Sequence, residues 1–201
     1  MQTPISPIAA FRALLRHQAN YAAHPDPAAL AVNKIALILA WNGPLYPVYV
    51  LALIGHDALP WSLLTLLVSP FFYALPWLSR QSSLAGRIAL PIVGAVNTIW
   101  CMKLFGPDSG VGAFLYPCIM LAAMLYRHSE RWLMLALVAL TVALEFLPAS
   151  FLGAPIMTLT PVESAHLDAL NAGSVAFLLG FIVFQLVNIA RDPEGGLGAA
   201  L

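Results

Sequence analysis

Between Lys34 and His56 the chain reads KIALILAWNGPLYPVYVLALIGH, and the reading of this stretch decides the fold. Residues 35–55 carry no formal charge. At about 1.5 Å per residue in a helix, they are long enough to cross a hydrocarbon core of about 30 Å. Working outward, apolar stretches of similar kind recur at 59–79, 87–106, 111–126, 132–149 and 170–190. The pattern predicts an all-α polytopic membrane protein, a bundle of six transmembrane helices occupying 34–190. A cytoplasmic segment (1–33) precedes it and a short glycine-containing tail (191–201) follows.

Composition points the same way. Hydrophobic residues make up 61% of the chain and charged residues 9%, where soluble domains carry about 25% charged residues. A net charge of zero leaves no basic footprint for nucleic acid. Cys101 and Cys118 both fall inside expected spans, so they offer neither a disulfide framework nor metal-ligand spacing.

The basic residues set the orientation. With six crossings, Arg12, Arg16, Lys34, Arg80, Arg87, Arg127, Arg131 and Arg191 collect on one face, and Lys103 alone lies toward the other. Asp57, Asp108, Glu163 and Asp168 fall in the opposite loops. Lys and Arg in short loops mark the cytoplasmic side, so both termini are expected in the cytoplasm of a bacterial inner membrane.

The connections are short turns, apart from 149–169. That segment holds Phe151, Leu152, Ile156, Met157 and Leu159, too apolar for a solvated loop, and is expected to cap the bundle mouth. Before the first span, Ile8, Phe11, Leu14 and Leu15 recur at helical spacing with Arg12, Arg16 and His17 between them. This is the pattern of a short amphipathic helix, with a membrane surface as one possible resting place and water as the other. Prolines interrupt the spans at Pro44, Pro47, Pro70, Pro76, Pro91 and Pro117, with Pro148 at an end. Each removes a helical hydrogen bond, so kinks are expected, sharpest around Asn42-Gly43-Pro44.

Polar groups within the spans are the candidate functional residues. Counting inward from the cytoplasmic end places Lys103 about 24 Å up the third span and Glu145 about 21 Å up the fifth. Opposite charges at one depth suggest an ion pair, the alternative being that each snorkels to the outer interface. Asn42, Tyr46 and Asn97 are candidate ligand contacts, with Trp100 and Tyr116 as aromatic walls for an apolar small molecule. The competing reading is amide glue between helices, which includes Asn171, Gln185 and Asn188. Trp61, Trp77 and Trp132 sit at span ends, where interfacial anchoring accounts for them. The five histidines lie outside the expected spans and no HExxH occurs, so intramembrane haem ligation and zinc-protease chemistry lack their residues. No catalytic, cofactor-binding or metal-binding residues are expected.

Several short runs carry a resemblance: Asn42 to Pro47, Ala95-Val96-Asn97-Thr98, Phe105 to Gly110, Phe114 to Cys118, and Arg127 to Arg131. Together they resemble the six-span input domains of bacterial class III adenylate cyclases and quorum-sensing sensor histidine kinases. That resemblance implies a membrane module that senses a lipophilic or membrane-borne signal and passes it to an output domain. No cyclase, kinase or stalk helix follows Arg191 in this sequence, so the resemblance implies either a stand-alone relative acting through a partner chain or an input module alone. The expected function is therefore a non-enzymatic, receptor-like module, working as a homodimer or with a partner membrane or signalling protein. The alternatives are an accessory or assembly subunit of a larger membrane complex and a small dimeric transporter.

Overall fold

A computed structural model of the chain describes residues 6–147 and 149–191, and these fold into helices and turns without a strand. Pro148, the side chain of Arg191 and the tail from 192 lie outside the described residues. In order, the helices are α1 (Pro7–Ala22), α2 (Pro27–Asn42), α3 (Tyr46–Ile54), α4 (Leu59–Leu63), α5 (Ser69–Gln81), α6 (Ser83–Phe105), α7 (Leu115–Met124), α8 (Arg131–Glu145), α9 (Ala149–Leu152) and α10 (Pro161–Arg191).

Among the described residues, four continuous helical segments are long and apolar enough to cross a membrane: Pro27–Ile54, His56–Gln81, Ser83–Phe105 and Pro161–Ala190. A further candidate is the pair Val111–Met124 and His128–Glu145, bent by 118° at the break between them. The first two segments are each interrupted. Gly43–Leu45 is a 3-10 turn between α2 and α3, where Pro44 and Pro47 lack the N–H that an α-helix needs. Leu64–Val68 is a 3-10 stretch between α4 and α5, just ahead of Pro70. There Thr65 turns its hydroxyl back onto the Ser62 carbonyl at 2.6 Å, competing with the backbone ladder.

Several boundaries differ from the sequence expectation, the first long helix beginning at Pro27 rather than at 35. The helix of 132–149 stops at Glu145, because Leu147 precedes Pro148 and a residue before proline avoids the helical region. The last helix starts at Pro161 rather than near 170. Thr160 caps it: its amide and hydroxyl donate to Glu163 Oε2 at 2.7 and 2.8 Å, and its Oγ1 accepts from the Glu163 amide at 3.3 Å. Proline in the first turn completes the start signal. With these longer helices, His56 and His166 lie in the first turns of their elements, exposed at the rim.

Residues from α2, α5, α6, α7, α8 and α10 share one core around Val32, Phe72, Leu90, Leu121, Leu137 and Ile182. A second, smaller core joins Val50, Ala58, Leu104, Phe105, Met157 and Leu167 at the far end. Large apolar side chains also cover the outside, including Phe71, Trp77, Trp132, Phe177 and Phe184. A lipid-facing surface needs such a coat and water would penalise it. Two buried threonine hydroxyls satisfy themselves locally: Thr98 donates to Gly94 O and Thr141 to Leu137 O. Close helix approach relies on Gly86, where a Cβ would meet the Ser79 Cα of α5 at 3.0 Å, so only a residue without one lets these backbones touch.

The two ends of the bundle are built differently. At one end gather Arg80, Arg87, Arg127 and Arg131. Arg87 is buried and grips Glu130 through both guanidinium nitrogens (2.7 and 2.9 Å), with a further bond to Leu125 O at 2.8 Å. Asp26 caps α2 by accepting from the Ala28 amide at 3.0 Å, accepts from the Ser83 hydroxyl, and lies 3.6 Å from Arg127. His24 Nδ1 accepts from the Asp26 amide at 2.9 Å and Nε2 lies 3.1 Å from Ser79 O. At the other end residues 152–157 fold over the tip of α6.

Candidate functional site

The capped end holds a cavity of about 710 Å³. Its floor is the tip of α6 (Met102, Phe105) and the start of α7 (Leu115, Tyr116), and its walls include Asp108, the end of α8 at Glu145, and Asp168 of α10. The roof runs from Leu152 to Leu159. Gly110 shapes the wall: its φ of +71 places it in the left-handed region, and a Cβ there would meet Asp168 Cα at 2.9 Å.

Lys103 holds the roof. Its ammonium donates to Leu152 O at 2.9 Å and Ala154 O at 2.6 Å. Beside it, the Ile156 and Met157 amides donate to the Lys103 and Leu104 carbonyls at 3.0 and 2.9 Å. These carbonyls end α6 and have no helical partner of their own, so the roof segment satisfies them. The expected Lys103–Glu145 ion pair is not formed. Glu145 instead accepts from the Tyr116 hydroxyl at 3.2 Å, and the carbonyl oxygens of the roof take the cation. A charge placed deep in a span needs a partner, and backbone oxygens serve as well as a carboxylate.

A second cavity, of about 90 Å³, lies inside the bundle where both interrupted helices meet α6. Asn42, Tyr46, Thr65, Ser69, Asn97 and Thr98 line it. The 3-10 turn at Gly43–Leu45 and the 3-10 stretch before Ser69 border this space, where these polar side chains mix with apolar ones such as Leu39, Phe72 and Phe114. At liquid density its volume matches about three waters.

The five residues expected to touch a ligand therefore separate. Asn42, Tyr46 and Asn97 share the small chamber, and Tyr116 lines the large cavity. Trp100 lines neither of them. Its indole Nε1 donates to Leu64 O at 3.0 Å, sealing the backbone where the helix leaves α geometry, and its ring packs on both cores. Tyr46 links the two regions: its hydroxyl donates to Asn171 Oδ1 at 3.2 Å, and Asn171 Nδ2 donates to Ser109 O at 2.8 Å. Asn171 is fully buried and ties α3, α10 and the turn after α6 together.

Asp108 and Asp168 enter the site without having been singled out from the sequence. Each is an ordinary loop or helix-start acid by pattern, and only the folding of α10 against the turn after α6 brings them to one cavity. Among the described residues no group of three or more His, Cys, Asp or Glu side chains is placed to hold a metal ion. No protein-family model, curated protein or solved structure matches this chain.

Proposed function

We propose that the chain is a six-span, receptor-like membrane module that binds a lipophilic small molecule in the capped cavity and acts through a partner chain. The observation that carries this reading is the cavity itself, which is ligand-sized, apolar over much of its wall and roofed by a segment hung on one lysine. The wall charges are Asp108, Glu145 and Asp168 without a facing cation, so an apolar body with a cationic or hydrogen-donating head fits best.

The contacts along α6 support six crossings. Arg87 near its start meets Glu130 between α7 and α8, and Lys103 near its end meets Leu152 beyond α8. Tyr116 at the start of α7 meets Glu145 at the end of α8. So α7 descends from the capped end to the arginine end and α8 returns. The arginine-rich end then belongs in the cytoplasm by the positive-inside rule, and both termini with it.

Mass spectrometry of small molecules extracted from the protein purified in mild detergent tests the binding. A discrete amphipathic compound is expected with the native chain and lost with Ala113→Phe, which fills the cavity. Equal profiles from both proteins would overturn the reading. For the topology, cysteines introduced singly at Asp108 and Thr158 should label from the same face of the membrane. Labelling from opposite faces would make α7 and α8 a single broken span.

A further inference from the structure

The amphipathic helix α1 stands apart from the two cavities described above and from the cores. Its last turn is fixed to the bundle. Tyr21 stacks on Tyr73 with ring centroids 5.1 Å apart and donates to the Tyr73 carbonyl at 2.9 Å. Arg80 donates to Tyr21 O at 2.8 Å and lies over the Tyr21 ring. Asn33 donates to Ala22 O at 2.9 Å. Toward its start, Ile8, Phe11, Leu14 and Leu15 are exposed, Ile8 by 67% and Phe11 by 60%.

At 100° per residue, Phe11, Leu15 and Ile8 fall on one arc, and Arg12 and Arg16 on its edge. No acidic residue occurs before Asp26. The helix leaves the bundle where two membrane-length segments end, at Pro27 and at Gln81, so its height is that of the lipid interface. The exposed cations of the same end, Lys34, Arg80, Arg127 and Arg131, extend the same sign of charge around it.

From this we infer that α1 lies on the bilayer surface and binds anionic lipid headgroups, with Ile8, Phe11 and Leu15 in the acyl boundary and Arg12 and Arg16 on phosphates. The occupant is set by two features: the apolar face continues the lipid-facing coat of the spans, and the flanking charge complements anionic lipid. The inference rests on the membrane reading of the apolar helices and not on the cavity ligand.

Hydrogen exchange of the full chain in nanodiscs tests it, comparing anionic phosphatidylglycerol discs with zwitterionic phosphatidylcholine discs. Amides of residues 9–19 should exchange more slowly in the anionic discs, by about twenty-five-fold if each arginine adds about fivefold near an anionic surface. Arg12→Gln with Arg16→Gln should remove the lipid dependence, and Phe11→Asp should remove the protection in both lipids. Slow exchange of α6 in every disc marks a bundle seated in lipid, so a failure of α1 alone is distinguishable from a failure of the membrane reading. Equal exchange in the two lipids overturns the inference. Protection that rises with protein density at fixed lipid also overturns it, and assigns the face to a second copy.

Discussion

The arginine end and the capped end of this bundle handle their charged groups in opposite ways. At the arginine end several charges are matched at short range: Arg87 with Glu130, Asp26 with Ser83 and Arg127, and Arg80 with the carbonyls of Asn20 and Tyr21. At the capped end three carboxylates face a cavity, and Lys103 holds backbone oxygens. One end is a clamp between helices and the other is a chamber with a hung roof. On the proposed reading, a binding module with two packings would use the clamp as its fixed base and the roofed chamber as the part that changes shape.

Breaking the clamp should have the largest effect. Arg87 is 3% exposed and bound to Glu130 through two nitrogens. Arg87→Met removes one partner of a buried pair and leaves the carboxylate without its cation, at a cost of about 3–5 kcal/mol. Unfolding in non-ionic detergent followed by circular dichroism should show that loss. A change below about 1 kcal/mol, the range of exposed pairs, would mean that the base is no firmer than the mouth.

Acid should also loosen the arginine end first, by a smaller amount. Burial alone would raise the Asp26 carboxyl, but the hydrogen bonds from Ser83 and the Ala28 amide, with Arg87 and Arg127 nearby, hold it below its ordinary value. A group lowered on folding stabilises the fold above its unfolded value of about 3.9, and that contribution disappears as pH falls through the folded value. The thermal midpoint of the native chain should therefore fall more steeply below about pH 4 than that of Asp26→Asn. Parallel curves would remove Asp26 from the clamp.

How much of this was legible follows from the range of each interaction. The apolar helices, the asymmetry of positive charge and the break in α geometry at Gly43–Leu45 are local or summed properties, and they can be read directly. The chamber of Asn42, Tyr46 and Asn97 was within reach for the same reason, since proline kinks leave room beside polar residues. The early start of α10 was also written locally, as Thr160-Pro161-Val162-Glu163, but the apolar run beginning near 170 drew attention past it. The partners of Lys103 and Asp26 were not legible. Carbonyls some fifty residues downstream, and Ser83 at a similar distance, leave no pattern in the sequence. Depth matching predicted a carboxylate for Lys103 because it compares side chains only, and the backbone oxygens of a folded-over segment are invisible to it.

The smallest global effect, and the sharpest test of the contrast, comes from Lys103→Met. The roof would lose two charge-assisted bonds, each worth about 1.5–3 kcal/mol, while the Ile156 and Met157 amides keep their bonds to the end of α6. Since the roof covers a cavity and not the main core, the cost should be paid by local opening. Hydrogen exchange at Ile156 and Met157 should accelerate at least tenfold, with the unfolding midpoint of the bundle nearly unchanged. If the midpoint falls as far as with Arg87→Met, the roof is part of the cooperative core and the mouth is as rigid as the base. If exchange is unaltered, the two backbone bonds alone hold the roof and Lys103 is not its latch.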